Sequence, residues 1–457
     1  MKNNRYDTIV IGGGPAGQRA ALELARHGVR TAIVESRAAL GGTCLHEGTI
    51  PSKALRTAII IMSNWRYRKL VGQDQRPLSR LDGSRLLEQV DRVIEKELQV
   101  IQDLMERNNI DLVRGRAGFT GTNTIRLDDQ GIELEADSFI LAAGSVGRKL
   151  DWVPYDGTRV IDSDSIYAVV DPLPGSMTIV GTGVVGMEYA MMLALAGVKV
   201  HMVGSSGTAL GFVDQELVRT CLDELEFLGG QFHPNCKVRS VEAHENSAVV
   251  HMDSGESIES EIAMFSVGRQ ASTADMSLEA AGVETDDRGV VIADSMCRTS
   301  APNIYAAGDI IGPPSLASTS REQGRLAALS LLGLPAKSMD ERFIPYGIYT
   351  IPEMAWVGKR GGDGSGLVTG RAMYKHLAKG EMLGEDRGFI KLSFDPDTRV
   401  LLGAGAVGTD AAELIHVAKL LVEMQATLDD LLAQVFNYPT LAEAYKVAAM
   451  DAEAALR

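Results

Sequence analysis

Short apolar runs that stop at glycine and restart with helical spacing punctuate this chain. From Tyr6 to Glu35 it reads YDTIVIGGGPAGQRAALELARHGVRTAIVE. Thr8–Ile11 is apolar and too short for a helix, so it predicts a buried strand. An alanine- and leucine-rich segment at helical spacing follows the glycines, and a second strand closes at Glu35. The order returns from Ser176 to Ser206 as SMTIVGTGVVGMEYAMMLALAGVKVHMVGSS, with its closing strand at Val198–Val203. A third apolar run, Asn303–Ala307, ends in Gly308-Asp309.

The glycines give these echoes chemical content. Gly12-x-Gly14-x-x-Gly17 and Gly181-x-Gly183-x-x-Gly186 each sit between a strand and a helix. One such motif is weak evidence, whereas two inside strand–helix–strand units of about 30 residues are strong. The first glycine makes a tight turn, the second lets a pyrophosphate approach the backbone, and the third lets helix and strand pack closely. The helix N-terminus then offers N–H groups and a positive dipole end to the phosphates. The plainer alternative, two turns with no ligand, leaves the repetition unexplained. Glu35, at the second strand's end, can accept from ribose hydroxyls, so the first unit is expected to hold an adenosine diphosphate with an unphosphorylated ribose. Asp309 falls at a sheet's carboxyl edge, where a ribityl hydroxyl is its expected partner.

Length and charge narrow the class. At 457 residues the chain is long enough for about three domains. With 45% hydrophobic and 23% charged residues it is unlike a disordered chain. Its net charge of −15 disfavours nucleic acid and anionic lipid as partners. The cysteines Cys44, Cys221, Cys236 and Cys297 are too sparse for a disulfide scaffold, and none forms a CxxC pair, so no metal site is expected. No apolar signal core opens the sequence and no apolar run reaches bilayer length, so a soluble, cytoplasmic protein in a reducing compartment is expected.

Taken together, Gly12–Gly17 with Glu35, Gly41-Gly-Thr-Cys44 with Ile50-Pro-Ser-Lys53, Gly181–Glu188, Gly268-Arg269 and Ala306–Asp309 resemble the FAD-dependent pyridine nucleotide–disulfide oxidoreductases. That family includes lipoamide dehydrogenase, glutathione reductase and mercuric reductase. The resemblance runs from Tyr6 to about Ala448. It implies a glutathione-reductase-like α/β fold: two Rossmann-like dinucleotide domains, for FAD and NAD(P), and a C-terminal α+β dimerisation domain. The implied boundaries are 1–150 with 270–338 for FAD, 151–269 for NAD(P), and 339–457 for a homodimer interface. The candidate interface helix, near Glu413–Met424, sets Leu414, Val417, Leu421 and Met424 on one face.

The resemblance also exposes two departures. Disulfide reductases of this family carry C-x4-C beside the flavin, whereas this chain has Cys44-Leu-His-Glu-Gly-Thr49. Their histidine base, in a His-Pro-Thr-x-x-Glu pattern, is Tyr438 here, and a phenol with an ordinary pKa near 10 does not shuttle protons near neutrality as imidazole does. Disulfide reduction is therefore not expected. The hydride machinery is retained by resemblance: Lys53 matches the lysine under the flavin, and Glu188 the glutamate that pairs with it and touches the nicotinamide. Gly12, Gly14, Gly17, Glu35, Asp309 and the backbone N–H of Ala317 would bind FAD with Lys53, while Gly181, Gly183, Gly186 and Glu188 would bind NAD or NADP. Gly48–Arg56, Gly347–Glu353, Pro314–Ser318, Lys375–Ala378 and Phe436–Thr440 are similar to the soluble flavin-containing transhydrogenase branch, where threonine and tyrosine at those two places are usual.

The expected activity is therefore hydride exchange between NADPH and NAD⁺ through FAD, with no redox disulfide. A dehydrogenase passing electrons to a quinone, or a flavoprotein signalling its redox state to a partner, would share every motif named. Gly204-Ser-Ser-Gly-Thr208, after the second Rossmann strand, has neither the acid of NAD-selective sites nor the arginines of NADP-selective ones. His46 is expected in an exposed loop, His376 and His416 on the surface, and Cys221, Cys236 and Cys297 in helix, loop and strand as packing residues. Lys359–Gly366 is too glycine-rich for a helix and is expected as a mobile surface loop.

Overall fold

The computed structural model describes residues 4–71, 79–127, 131–362 and 364–457. They form two compact units. The first comprises Met1–Leu55, Glu88–Arg148 and Gly268–Met339. Its sheet runs Asp111–Arg114, Thr31–Glu35, Arg5–Ile11, Ile132–Leu141, with Ile304–Ala306 pairing the last of these, all in parallel. An antiparallel pair, Thr124–Leu127 and Ala117–Gly121, extends the other end of Ile132–Leu141. Parallel strands need both faces covered, which is why Ile9, Val10, Ile33, Phe139 and Ile140 are fully buried. One face is covered by the helix Pro15–Arg26, opened by a proline in its first turn and carrying Ala20, Ala21 and Leu24 inward. The helix Ala317–Leu331 lies so close to it that a Cβ on Gly324 would stand 2.1 Å from the Ala16 carbonyl oxygen. This approach brings the Gly308-Asp309 strand end to the same sheet edge as the first glycine turn.

The second unit comprises Arg56–Leu87, Lys149–Val267 and Asp340–Arg457. It repeats the parallel arrangement in five strands, ordered Gln231–His233, Lys199–Val203, Ser176–Val180, Ile262–Phe265, Val160–Asp162. The helix Val184–Leu195 is buried from Gly186 to Leu195, consistent with its unbroken Met/Ala/Leu composition. The segment Val238–Ser260 forms a separate three-stranded antiparallel sheet. From Tyr346 on, a five-stranded antiparallel sheet packs under the helices Ala411–Glu423 and Ala444–Ala455 around Tyr374, Phe394 and Tyr445. On Ala411–Glu423, Ile415, Ala418 and Val422 face this core, Leu414, Val417 and Leu421 are half-buried, and Leu420 is exposed, as is Met424 at the C-cap.

Three local expectations are corrected. Cys297 is in a turn, not a strand: Asp294 accepts backbone N–H groups from Met296 and Arg298, forcing Cys297 to φ +67°. His46 ends a short helix, Gly42–His46, where its Nε2 meets the Leu40 carbonyl at 2.9 Å, so it is half-buried rather than a loop residue. The third strand is Ile304–Ala306, shorter at both ends than the apolar run. Within Lys359–Gly366, Asp363 lies outside the described residues; the rest contains no helix. Among the described residues no helix is long and apolar enough to cross a membrane, and no cluster of three His, Cys, Asp or Glu could hold a metal.

Candidate dinucleotide sites

Each glycine triplet separates what the protein needs from what it leaves free. Gly12 has φ +108°, and a Cβ there would lie 2.3 Å from the Ala142 carbonyl oxygen; one on Gly17 would lie 1.9 Å from the Gly12 carbonyl oxygen. The second turn repeats this, with Gly181 at φ +119° and 2.4 Å from Ser266 O, and Gly186 at 2.1 Å from Gly181 O. The middle glycines are different. Gly14 and Gly183 have ordinary extended dihedrals, φ −75° and −78°, as the N-caps of their helices. A Cβ on Gly14 would meet only Gly42 Cα at 3.9 Å, and one on Gly183 nothing within 4 Å. Neither backbone strain nor internal packing calls for glycine at these two positions. Space kept open above a helix N-terminus fits a pyrophosphate, so the residues present fit FAD in the first unit and a nicotinamide nucleotide in the second.

Among the predicted polar groups of the first unit, Glu35 is bonded directly to the glycine turn. Glu35 ends the strand Thr31–Glu35 and accepts from the Gly13 and Arg37 backbone N–H groups, both at 2.8 Å, which fixes its carboxylate at the turn. Asp309 accepts from Ser145 Oγ at 2.7 Å, and Arg269 Nε donates to the same Oγ at 2.9 Å. No motif marks Ser145, although it follows the strand Ile132–Leu141 at the same carboxyl edge, the place where ligands bind. From the sequence, Arg269 stands out only within the Gly268-Arg269 motif. Ala317 is the first residue of its helix, where the N–H has no intrahelical partner. Lys53 is half-buried on the helix Thr49–Met62, and its Nζ reaches Ser52 Oγ at 3.2 Å.

Cys44 lies on the short helix just before. Burial pushes its thiol up, outweighing the Thr49 hydroxyl and the Arg321 and Lys53 charges that act the other way. A thiol held protonated is a poor nucleophile. Cys221 and Cys297 are buried and pushed up to about 12 by desolvation.

In the second unit Glu188 is 5% exposed, and its Oε1 accepts the Tyr349 backbone N–H at 2.9 Å. Tyr167 and Tyr189 pair through their hydroxyls at 3.1 Å, and burial drives the Tyr189 phenol well above its ordinary value. After the strand Lys199–Val203, Ser205 to Thr208 are exposed. Tyr438 is 67% exposed in the single chain.

Comparison with known proteins decides the family. The model described as pyridine nucleotide-disulphide oxidoreductase matches residues 6–324, and that family's dimerisation-domain model matches 344–449. The chain belongs to the pyridine nucleotide–disulphide oxidoreductases. It is 38% identical to the soluble pyridine nucleotide transhydrogenase of Mycobacterium bovis, over 98% of this chain and 97% of that one. It is 36% identical to the enzyme of the same name from Escherichia coli, again over 98% and 97%. Among solved structures it is similar to LpdA from Mycobacterium tuberculosis, with TM-score 0.88, 26% identity and coverage of 97% and 99%. The flavoprotein disulfide reductase RclA from Escherichia coli superposes with TM-score 0.87 and 26% identity, covering 97% and 99%. The fold is thus the α/β, glutathione-reductase-like architecture that the family resemblance implied. FAD is the family's cofactor, and the chain is an FAD-dependent oxidoreductase of pyridine nucleotides.

Proposed function

We propose that this enzyme exchanges hydride between NADPH and NAD⁺ as a cytoplasmic homodimer. The observation that carries the reading is the near-full-length identity to two enzymes named soluble pyridine nucleotide transhydrogenase. The match of 344–449 to a dimerisation domain supports the second copy. The division into 1–150 with 270–338, 151–269 and 339–457 belongs to the same reading, supported by the two glycine turns falling in different compact units.

When bound, FAD would supply the hydride chemistry that links the two nicotinamides. Gly14 would leave the backbone open to the pyrophosphate, Glu35 would hold the ribose, and Asp309, oriented by Ser145, would take a ribityl hydroxyl. Ala317 would offer its N–H to the pyrimidine edge. Lys53 would place its ammonium beside the ring. In the second unit Gly181, Gly183 and Gly186 form the nucleotide turn, and Glu188, held by the Tyr349 N–H, orients the nicotinamide. Ser205 and Ser206 can donate to a 2′-phosphate, and the missing acid removes repulsion against one. Cys44, with Thr49 at the place of a second thiol, has no obligatory redox step.

The test is stopped-flow reduction of the bound flavin by NADPH, with the flavin potential measured in parallel. Lys53→Met is expected to slow reduction and lower the potential while FAD stays bound, and Glu188→Gln to slow reduction more mildly. If Lys53→Met leaves both rate and potential unchanged, the lysine has no part in the chemistry.

A further inference from the structure

Glu188 is held by a segment that is itself held by one buried arginine. The Tyr349 N–H that reaches Glu188 Oε1 at 2.9 Å belongs to Tyr349–Glu353, which leads from the strand Tyr346–Ile348 into the strand Glu353–Gly358. Arg56, 9% exposed, grips this segment twice. Its Nε donates to the Thr350 carbonyl at 3.0 Å, and its guanidinium meets Glu353 Oε1 at 3.1 Å. The other Glu353 oxygen accepts the Ala412 N–H at 3.3 Å, at the start of the helix Ala411–Glu423. Thr350 is fully buried, and its hydroxyl donates to the Pro352 carbonyl at 2.6 Å.

The chemistry of the fork matters. Guanidinium presents donors in fixed, divergent directions, so one side chain can fix a carbonyl and a carboxylate together. A lysine ammonium can point at either acceptor but lacks the planar geometry that spans both. The Thr350 carbonyl lies two peptide units past the Tyr349 N–H in the same short segment, and Arg56 holds that segment again at Glu353, so few backbone rotations are left to turn the N–H away. Rotation of this segment would carry the Tyr349 N–H away from the buried Glu188 carboxylate and remove that hydrogen bond. Arg56 is thus more than half of an ion pair.

We infer that Arg56 is a positioning residue for hydride transfer: it fixes the Tyr349–Glu353 segment so that the Tyr349 N–H aims Glu188 at the nicotinamide. This rests on the proposed role of Glu188. The effect should appear in the placement of the nicotinamide half of the nucleotide and not in capture of the adenosine half.

The experiment separates positioning from folding with the pair Arg56→Met/Glu353→Gln. Arg56→Met alone leaves a buried carboxylate unpaired and lowers the melting temperature. The added Glu353→Gln removes that charge yet keeps an oxygen for the Ala412 N–H, so the melting temperature should return toward the parent's. The transfer defect should persist. The saturating rate of flavin reduction by NADPH is expected to fall on the order of tenfold to a hundredfold, the scale of a small misplacement of a reacting group. Titration calorimetry on the FAD-loaded protein should show weaker nicotinamide mononucleotide binding and unchanged AMP binding. Arg56→Lys should restore melting and only part of the rate. If the double variant recovers melting, rate and mononucleotide affinity together, Arg56 is only an ion-pair partner and the inference fails. If Glu188→Gln changes neither rate nor mononucleotide affinity, the role of Glu188 fails, and the inference with it.

Discussion

Gly14 offers a clean separation of fold from ligand. A Cβ there meets no protein atom closer than the Gly42 Cα at 3.9 Å, and the residue's dihedrals suit any side chain. The protein's own loss is a poorer N-cap, about 1 kcal/mol. The ligand's loss is larger. A branched side chain fills the space through which a pyrophosphate reaches the backbone, removing about two charge-assisted N–H bonds worth about 1.5–3 kcal/mol each. The sum, about 3–6 kcal/mol, corresponds to an FAD affinity lower by about 10²- to 10⁴-fold. Gly17→Ala is the contrasting control, because its Cβ would sit 1.9 Å from the Gly12 carbonyl oxygen. That variant should damage the fold before any cofactor is added. The assay is thermal melting of the apoprotein beside titration of FAD by quenching of its fluorescence. Gly14→Val should melt close to the parent and bind FAD poorly, while Gly17→Ala should melt well below both. Near-parental FAD affinity in Gly14→Val would refute the reasoning, as would an apoprotein as unstable as Gly17→Ala.

Asp309→Leu removes the carboxylate that Ser145 and Arg269 orient, and purified protein should carry markedly less FAD per chain; full occupancy would argue against its role. Cys44→Ser should leave NADPH-to-NAD⁺ transfer within a few-fold of the parent, whereas a hundredfold loss, about 2.7 kcal/mol of barrier, would mean that the thiol acts directly. Because burial raises the Cys44 pKa, the thiolate forms only at higher pH than in a free thiol. Its alkylation by iodoacetamide should therefore rise with a midpoint above that of a cysteine peptide run alongside, and a midpoint below it would contradict the local electrostatics.

What the sequence made legible was local. The glycine turns state their own geometry within six residues, and the structure repeats that geometry twice, from Gly12 to Gly17 and from Gly181 to Gly186. What it hid depends on distant partners. Ser145 meets Asp309 across 164 positions, and Glu188 meets the Tyr349 N–H across 161. No periodicity encodes such pairs; sheet closure makes the first and a buried arginine supports the second. Cys297 shows the opposite error. Its surroundings suggested a strand, yet the carboxylate of Asp294 collects two backbone donors and turns the chain, a side-chain effect stronger than local β-propensity. The second nucleotide's identity stays hard to read for a related reason. Gly204–Thr208 offers only serine and threonine hydroxyls and backbone N–H groups, which suit a phosphate without demanding one.

The central claim is that a second nicotinamide, not another acceptor, takes the electrons. Its most direct test is anaerobic reduction of the enzyme with stoichiometric NADPH, followed by rapid mixing with NAD⁺, with a quinone, or with buffer. Reoxidation by NAD⁺ is expected at a rate no slower than steady-state turnover, with NADH formed in equal amount to the NADPH consumed. Slow reoxidation by NAD⁺ beside fast reoxidation by quinone would make the chain a quinone-linked dehydrogenase, and a flavin that stays reduced with every acceptor would make it a redox signal; either result rules out transhydrogenation.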